Sequence, residues 1–276
     1  MNVQTWLKQA THKLDEADIA TARLDSLVLL EDVTGLDRAQ LLAEPDTELS
    51  SAKQAKLKKL LNRRIAHEPL AYVRGRTEFY GRNFVITPAV LEPRPESETM
   101  IDLLKTLASN EAQQHNNDQK LRIADVGTGS GALGITAALE VPNCEVDLLD
   151  IDPKALKIAI INVDKFTLSL SVKRSDLLAS SAKDYDILLC NLPYVPDSHT
   201  INQAAGFEPR SAIFGGPDGL DLYRRLFDQV AKLQNRALYL LIESLPPQHA
   251  DLKKIASGAD YKLQRTDDFI QVFETA

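Results

Sequence analysis

Apolar residues recur at helical spacing from the start of the chain. Val3, Trp6, Leu7, Ala10 and Leu14 fall on one helical face. Leu24, Leu27, Val28 and Leu30 continue the pattern, and Gly35 stands where a helix would end. Ser50 or Ser51 can cap a further helix carrying Leu57, Leu60, Leu61 and Ile65. Residues 1–69 are therefore expected to form a small helical bundle. The bundle carries no catalytic constellation, so it reads as a substrate-recognition domain. After residue 69 the period changes. Tyr72, Val73, Phe79, Tyr80, Phe84, Val85 and Ile86 alternate with polar residues, and Gly75 and Gly81 interrupt them. That pattern predicts a β-hairpin linker over 70–92. Pro88, Pro93 and Pro95 then stiffen the approach to a helix expected from Glu96 to Ala108. The polar stretch from Ser109 to Lys120 reads as an exposed loop or a frayed helix end.

From Leu121 onward, short apolar runs alternate with helical patterns. Strands are expected at 121–126, 145–150, 171–174, 185–190, 236–242, 260–265 and 269–273, and helices at 131–140, 153–164 and 218–233. This alternation predicts an α/β domain over 93–276 with a seven-stranded, mostly parallel sheet covered on both faces. The last two strands leave no room for a helix between them, so they should pair as an antiparallel hairpin at one edge.

Composition narrows the classes. A chain of 276 residues that is 44% apolar can bury a proper core. The net charge of −7 argues against a general polyanion binder. From Lys53 to Arg94, however, ten Lys/Arg face three Glu, either a solvated helix face or a docking surface for an acidic partner or RNA. Cys144 and Cys190 fall in or beside expected strands and read as reduced thiols of a cytoplasmic protein. The N-terminus lacks a basic region followed by an apolar stretch, and no apolar run approaches a membrane span. Five scattered histidines offer no metal-ligand spacing.

Two motifs carry chemistry. Asp125-Val126-Gly127-Thr128-Gly129-Ser130-Gly131 lies between a strand and a helix. Its glycines let the backbone turn sharply and approach a ligand, and the helix N-terminus beyond favours an anionic group. Asp150 ends the next strand, 23 residues after Gly127, where a carboxylate can accept hydrogen bonds from ribose hydroxyls. Both features point to an adenosine-bearing cofactor. The loop also satisfies the looser dinucleotide fingerprint through Ala132. Asp125 favours S-adenosyl-L-methionine over NAD, because a carboxylate pairs with an ammonium and repels a pyrophosphate. Asp176 and Leu177, after the third strand, are placed to flank an adenine, although a Ser-Asp pair can equally cap a helix.

The second motif is Asn191-Leu192-Pro193-Tyr194, after the fourth strand and on the same sheet edge as the glycine loop. A planar amide or aromatic amine has a delocalised lone pair and is a poor nucleophile. The Asn191 side-chain carbonyl and the Leu192 backbone carbonyl can each accept one N–H of such a group. Tyr194 can stack on it, and Pro193 fixes the turn. Catalysis would be positioning and electrostatic stabilisation.

Together these residues resemble the peptide chain release factor N5-glutamine methyltransferases. Phe79-Tyr80-Gly81 resembles the family's hairpin signature, and Pro93-Arg94-Pro95-Glu96-Ser97-Glu98 its Pro-Arg-Pro-(Asp/Glu)-Thr-Glu motif. Asp125 to Leu133 resembles the cofactor loop and Asp150-Ile151 the ribose-binding strand end. Phe207-Glu208-Pro209 and Ala212 to Leu220 resemble the downstream family segment. Leu192 stands where the family has proline, Glu92 where it has an apolar residue, and Glu243-Ser244-Leu245 where it has Glu-Ile-Gly. The tail, Asp267 to Ile270, lacks the family's Gly-Arg-x-Arg run.

The resemblance implies a Rossmann-like methyltransferase sheet and S-adenosyl-L-methionine as methyl donor. It implies class I peptide chain release factors as partners, with the glutamine of their Gly-Gly-Gln loop as acceptor. Phe79 and Arg94 join Asn191 to Tyr194 as expected substrate-binding residues. A monomer is expected, with no membrane and no direct nucleic-acid substrate. Methylation of a ribosomal-protein glutamine or a nucleic-acid base nitrogen stays open as an alternative, as does a non-catalytic cofactor binder.

Overall fold

A computed structural model of the chain describes residues 1–114, 120–180 and 183–276. It divides into two compact units, Met1–Arg76 with Ile201–Phe207, and Thr77–Thr200 with Glu208–Ala276.

The first unit is helical. Its opening helix, Val3–Asp15, is capped by Asn2, whose side chain accepts from the Thr5 N–H at 3.0 Å, and it buries Val3, Trp6, Leu7, Ala10 and Leu14. The helix Ala22–Thr34 ends at Gly35, which is left-handed with φ +77°. It departs from the expected apolar face at one point. Leu24 is exposed, and Asp25 and Ser26 are buried instead. Asp25 accepts from Arg64 Nε at 2.7 Å, and Ser26 Oγ donates to the Ala22 carbonyl at 2.8 Å, so both polar groups are satisfied inside the bundle. Helices Arg38–Ala43 and Ser51–Ile65 follow, the latter capped by Ser50. Tyr72 and Val73 do not join a hairpin. They are buried in a helical turn, Leu70–Arg74, that Gly75 ends with φ +73°.

The second unit begins within β1 (Arg76–Phe79), which pairs with β2 (Arg82–Val85). A 3-10 turn, Pro95–Ser97, leads into the helix Glu98–Gln114. That helix continues beyond Ala108 to Gln114, into the stretch expected as an exposed loop or a frayed helix end, and Ser109 Oγ donates back to the Lys105 carbonyl as helical serines do. Within that stretch, 115–119 lie outside the described residues. Seven strands follow: β3 (Leu121–Val126), β4 (Cys144–Asp150), β5 (Ser171–Arg174), β6 (Ile187–Cys190), β7 (Tyr239–Glu243), β8 (Tyr261–Asp267) and β9 (Ile270–Thr275). They form one sheet in the order β5-β4-β3-β6-β7-β9-β8. β9 runs antiparallel to both its neighbours, and the short β8–β9 connection requires this of the β8 pairing.

Alternate residues of the apolar strands enter opposite cores. Ala124, Val126, Leu188, Cys190, Leu240 and Ile242 pack on one face, and Ile123, Leu148, Ile187, Leu189 and Leu241 on the other. Cys144 and Cys190 are both free thiols. Helices Ala132–Glu140, Pro153–Lys165 and Asp221–Val230 cover the sheet, with a further helix, His249–Gly258, that was not legible because it buries only Leu252 and Ala256.

This order positions the site. β3 has β4 on one side and β6 on the other, so the chain reverses direction across the sheet between them. The register pairs Val126 with Cys190. The glycine loop and the Asn191 turn therefore leave the sheet side by side, at the carboxyl ends of neighbouring strands where doubly wound sheets bind ligands.

Candidate active site

Gly127, Gly129 and Gly131 all have positive φ, of +77°, +56° and +84°. The N–H groups of Gly127 and Thr128 both donate to the Leu149 carbonyl, at 2.8 and 2.9 Å. Gly129 N–H donates to Asp150 Oδ2 at 2.9 Å, and Asp152 N–H to Asp150 Oδ1 at 2.9 Å. Asp150 thus anchors the loop and keeps a lone pair on each oxygen for a ligand hydroxyl. Burial raises its carboxyl above the ordinary range, opposed by these N–H bonds.

Two residues hold the loop from behind. Asp125 Oδ2 accepts from Thr128 Oγ1 at 2.5 Å and from Gly134 N–H at 2.9 Å. Burial raises this carboxyl to about 6, against the pull of the same two bonds and with added repulsion from Asp150. Asn162, fully buried, accepts from Val85 N–H at 2.8 Å and donates to the carbonyls of Val85 and Ser130 at 2.9 and 2.8 Å. One side chain therefore ties β2 to the glycine loop. Sequence reading missed it, because an asparagine inside an amphipathic helix carries no signal of its own.

The Asn191 turn is held by its backbone. Leu192 N–H donates to the Tyr223 hydroxyl at 3.2 Å, a bond that proline at this position could not make. The Tyr223 hydroxyl in turn donates to the Glu243 carbonyl in a very short contact. Gln248 Nε2 donates to the carbonyls of Tyr194 and Asp218, both at 2.7 Å. Gly215 and Gly219 press so closely on the carbonyls of Pro193 and Tyr194 that neither site has space for a Cβ. Turn rigidity therefore comes from Tyr223, Gln248 and the segment Gly215–Gly219 as well as from Pro193.

Beside the turn lies a buried polar chain that the sequence did not reveal. Asn191 Nδ2 donates to Ser97 Oγ at 2.9 Å, and Ser97 Oγ donates to Glu243 Oε2 at 2.6 Å. The Tyr194 hydroxyl donates to Glu243 Oε1 at 2.9 Å. Burial raises the Glu243 carboxyl above the usual glutamate range, opposed first by the Ser97 bond and then by Tyr194.

A cavity opens over these elements. Its wall includes Gly127, Thr128, Gly129, Ser130, Asp150, Ile151, Asp176, Leu177, Asn191, Leu192, Pro193 and Phe79. Asp125 and Gly131 stand behind that wall, shaping the loop. Tyr194 is not on it either: the ring packs against the core, with its hydroxyl on Glu243. Arg94 is also off the wall, and its Nη2 donates to both oxygens of the buried Glu208, at 2.8 and 2.7 Å. Asp176 pairs with Arg225 at 2.6 Å. Leu133, Ala155 and Val90 add apolar lining.

The donor set fits an adenosine-bearing cation. A Cβ at Gly129 would meet nothing within 4 Å, so the loop backbone is open to a ligand. Asp150 and Asp176 on the wall, with Asp125 behind it, disfavour a polyanion such as a pyrophosphate.

Fold and site together define a methyltransferase of the doubly wound α/β class. Residues 5–75 match the PrmC N-terminal domain family, and residues 100–206 the methyltransferase small domain family. The chain is 37% identical over 235 residues to the release factor glutamine methyltransferase of Koribacter versatilis, covering 83% of this chain and 81% of that protein. It is 36% identical to the Coxiella burnetii protein of the same name, covering 86% and 85%. Among solved structures, the hMettl16 catalytic domain in complex with a 3′UTR hairpin shares the fold at a TM-score of 0.54, 14% identity, and coverage of 88% of this chain and 86% of that one. The T. thermophilus 16S rRNA methyltransferase RsmC, in complex with AdoMet and guanosine, shares it at 0.51 and 15%, covering 73% and 50%. The chain belongs to the family of release factor glutamine methyltransferases.

Proposed function

We propose that this protein methylates the side-chain amide nitrogen of the glutamine in the Gly-Gly-Gln loop of class I peptide chain release factors, with S-adenosyl-L-methionine as donor. The observation that carries the reading is Asn191. It lines the cavity beside the glycine loop, and among the described residues no donor reaches its Oδ1. An outward-facing amide oxygen at this place accepts an N–H, which is what holding a carboxamide nitrogen requires.

Gly127 to Gly129 give the cofactor close backbone approach, Asp150 accepts its ribose hydroxyls, and Ile151 and Leu177 offer apolar contact to its base. When bound, the cofactor supplies an electrophilic methyl group. Asn191 Oδ1 and the Leu192 carbonyl hold the two N–H bonds of the acceptor amide. The Tyr223 hydroxyl lies 3.4 Å from the Leu192 carbonyl, but its single proton is committed to the Glu243 carbonyl, so the Leu192 oxygen stays available. Accepting both N–H bonds orients the nitrogen toward the methyl group and stabilises the positive charge that develops on it until one of the two protons is released to solvent, so catalysis is positioning and electrostatic stabilisation. The helical first unit serves as the recognition domain. Helix Ser51–Ile65 supports this with exposed Lys56, Lys58 and Lys59, suited to an acidic surface of the release factor.

The test is incubation with labelled S-adenosylmethionine and, separately, a release factor, its loop Gln→Ala variant, a ribosomal protein fraction and DNA. Label on the release factor and none on the variant is the expected result. Label on DNA or on the ribosomal fraction alone would overturn it.

A further inference from the structure

The clamp works only if the oxygen end of the Asn191 amide faces the cavity, and two buried groups decide that. Glu243 closes β7 and is 1% exposed, and Ser97 is 2% exposed. Glu243 Oε2 accepts from Ser97 Oγ at 2.6 Å, and Oε1 accepts from the Tyr194 hydroxyl at 2.9 Å. A carboxylate offers acceptors only, so Ser97 must spend its single proton on it. Ser97 then presents only lone pairs to Asn191, 2.9 Å away, and only the NH₂ end of an amide can meet them. The carbonyl end is left pointing away from Ser97.

We infer that Glu243 is a positioning residue for methyl transfer: acting through Ser97, it fixes the Asn191 amide with its oxygen toward the acceptor nitrogen. The inference rests on the methyl-transfer reading above. It assigns the serine of the Pro-Arg-Pro-Glu-Ser-Glu stretch a direct task. Ser97 passes polarity from a residue 146 positions later to the amide at the reaction centre.

Glu243→Gln tests it with almost no change of shape. Gln keeps one oxygen for Tyr194, but its Nε2 donates to Ser97. Ser97 is then free to donate to Asn191 Oδ1, and the amide turns its NH₂ toward a nitrogen that needs an acceptor. We expect kcat to fall by about a hundredfold, the scale set by one misdirected polar group in an active site. Cofactor affinity should persist.

A double-mutant cycle separates positioning from mere support. On an Asn191→Ala background there is no amide to orient, so Glu243→Gln should cost nothing further. Ser97→Ala should lower kcat, and Ser97→Thr should recover most of that loss. Equal losses from Glu243→Gln in both backgrounds, or near-normal turnover in the single variant, would overturn the inference. A readout independent of turnover is the exchange of the Asn191 Nδ2 protons. They should be protected in the unaltered protein and lose protection in Glu243→Gln; unprotected protons in the unaltered protein would sink the idea. If the unaltered protein labels no release factor yet these protons behave as expected, the functional reading fails and the amide lock stands.

Discussion

A Cβ on Gly127 would lie 2.8 Å from Cδ2 of Leu192, so the cofactor loop and the acceptor turn are packed directly against each other. Neither can move toward the sheet edge without displacing the other. Replacing Gly127 by alanine therefore carries two penalties. One is a left-handed backbone, costing about 1–2 kcal/mol for a residue with a side chain. The other is displacement of the buried Leu192. Cofactor affinity, measured by titration calorimetry, should drop by about tenfold or more. Gly127→Ala with Leu192→Ala should recover only the steric part. Unchanged affinity in the single variant would show that the loop and turn are not coupled.

Asn162 makes the next case. Its amide satisfies three backbone groups on β2 and in the glycine loop. Asn162→Ala leaves the buried Ser130 carbonyl and the partly buried Val85 groups without this partner and should destabilise the second unit by about 2–3 kcal/mol. Urea unfolding followed by the loss of sheet structure would measure it. A change below about 0.5 kcal/mol would mean that the tie between β2 and Ser130 carries no net stability.

Asp125 yields a pH dependence. Its folded-state value of about 6 lies above the ordinary aspartate value, so its contribution to stability is present in acid and lost as pH rises through about 6. Asp125→Asn keeps an acceptor for Thr128 and Gly134 and removes the titration. The variant's stability relative to the unaltered protein should improve by about 1–2 kcal/mol between pH 5 and pH 8, measured by denaturant titration at each pH. No change with pH, or a change of the opposite sign, would show that the buried carboxyl is not raised.

Arg94 distinguishes support from substrate contact. Its guanidinium neutralises the buried Glu208. Arg94→Ala alone should cost about 1–2 kcal/mol by removing the cation beside that buried carboxylate, a loss moderated by the solvent exposure of the Arg94 side chain. Adding Glu208→Gln should restore most of the loss. If the Michaelis constant for the release factor stays raised in the restored double variant, Arg94 also touches the substrate. If it returns to normal, Arg94 acts through Glu208.

The parts of this site that are local in sequence were legible, and the parts that are joined through space were not. The glycines announce the loop because only they adopt its backbone cheaply, and Asn191 to Tyr194 announce a turn by composition. β3, β4, β6, β7 and β9 are legible as short, largely apolar runs bounded by turn residues, whereas β5 and β8, at the two edges of the sheet, are mostly polar. Ser97 and Glu243 meet across 146 positions, and no spacing rule reaches that far. Asn162 looks like any polar residue of an amphipathic helix until Val85 and Ser130 are placed beside it. Periodicity turns Leu24 inward, but the Asp25–Arg64 pair occupies the buried arc, because a satisfied ion pair can fill core space. The short helical turn Leu70–Arg74 offered too few positions to set its period apart from that of a strand.

The most direct measurement is mass spectrometry of a class I release factor after incubation with the protein and S-adenosylmethionine, with fragmentation across the Gly-Gly-Gln loop. One added methyl, localised to the glutamine side chain and absent when Asn191→Ala is used although that variant still binds the cofactor, is the expected result. A methyl placed on any other residue, or an undiminished yield from Asn191→Ala, would contradict the amide clamp.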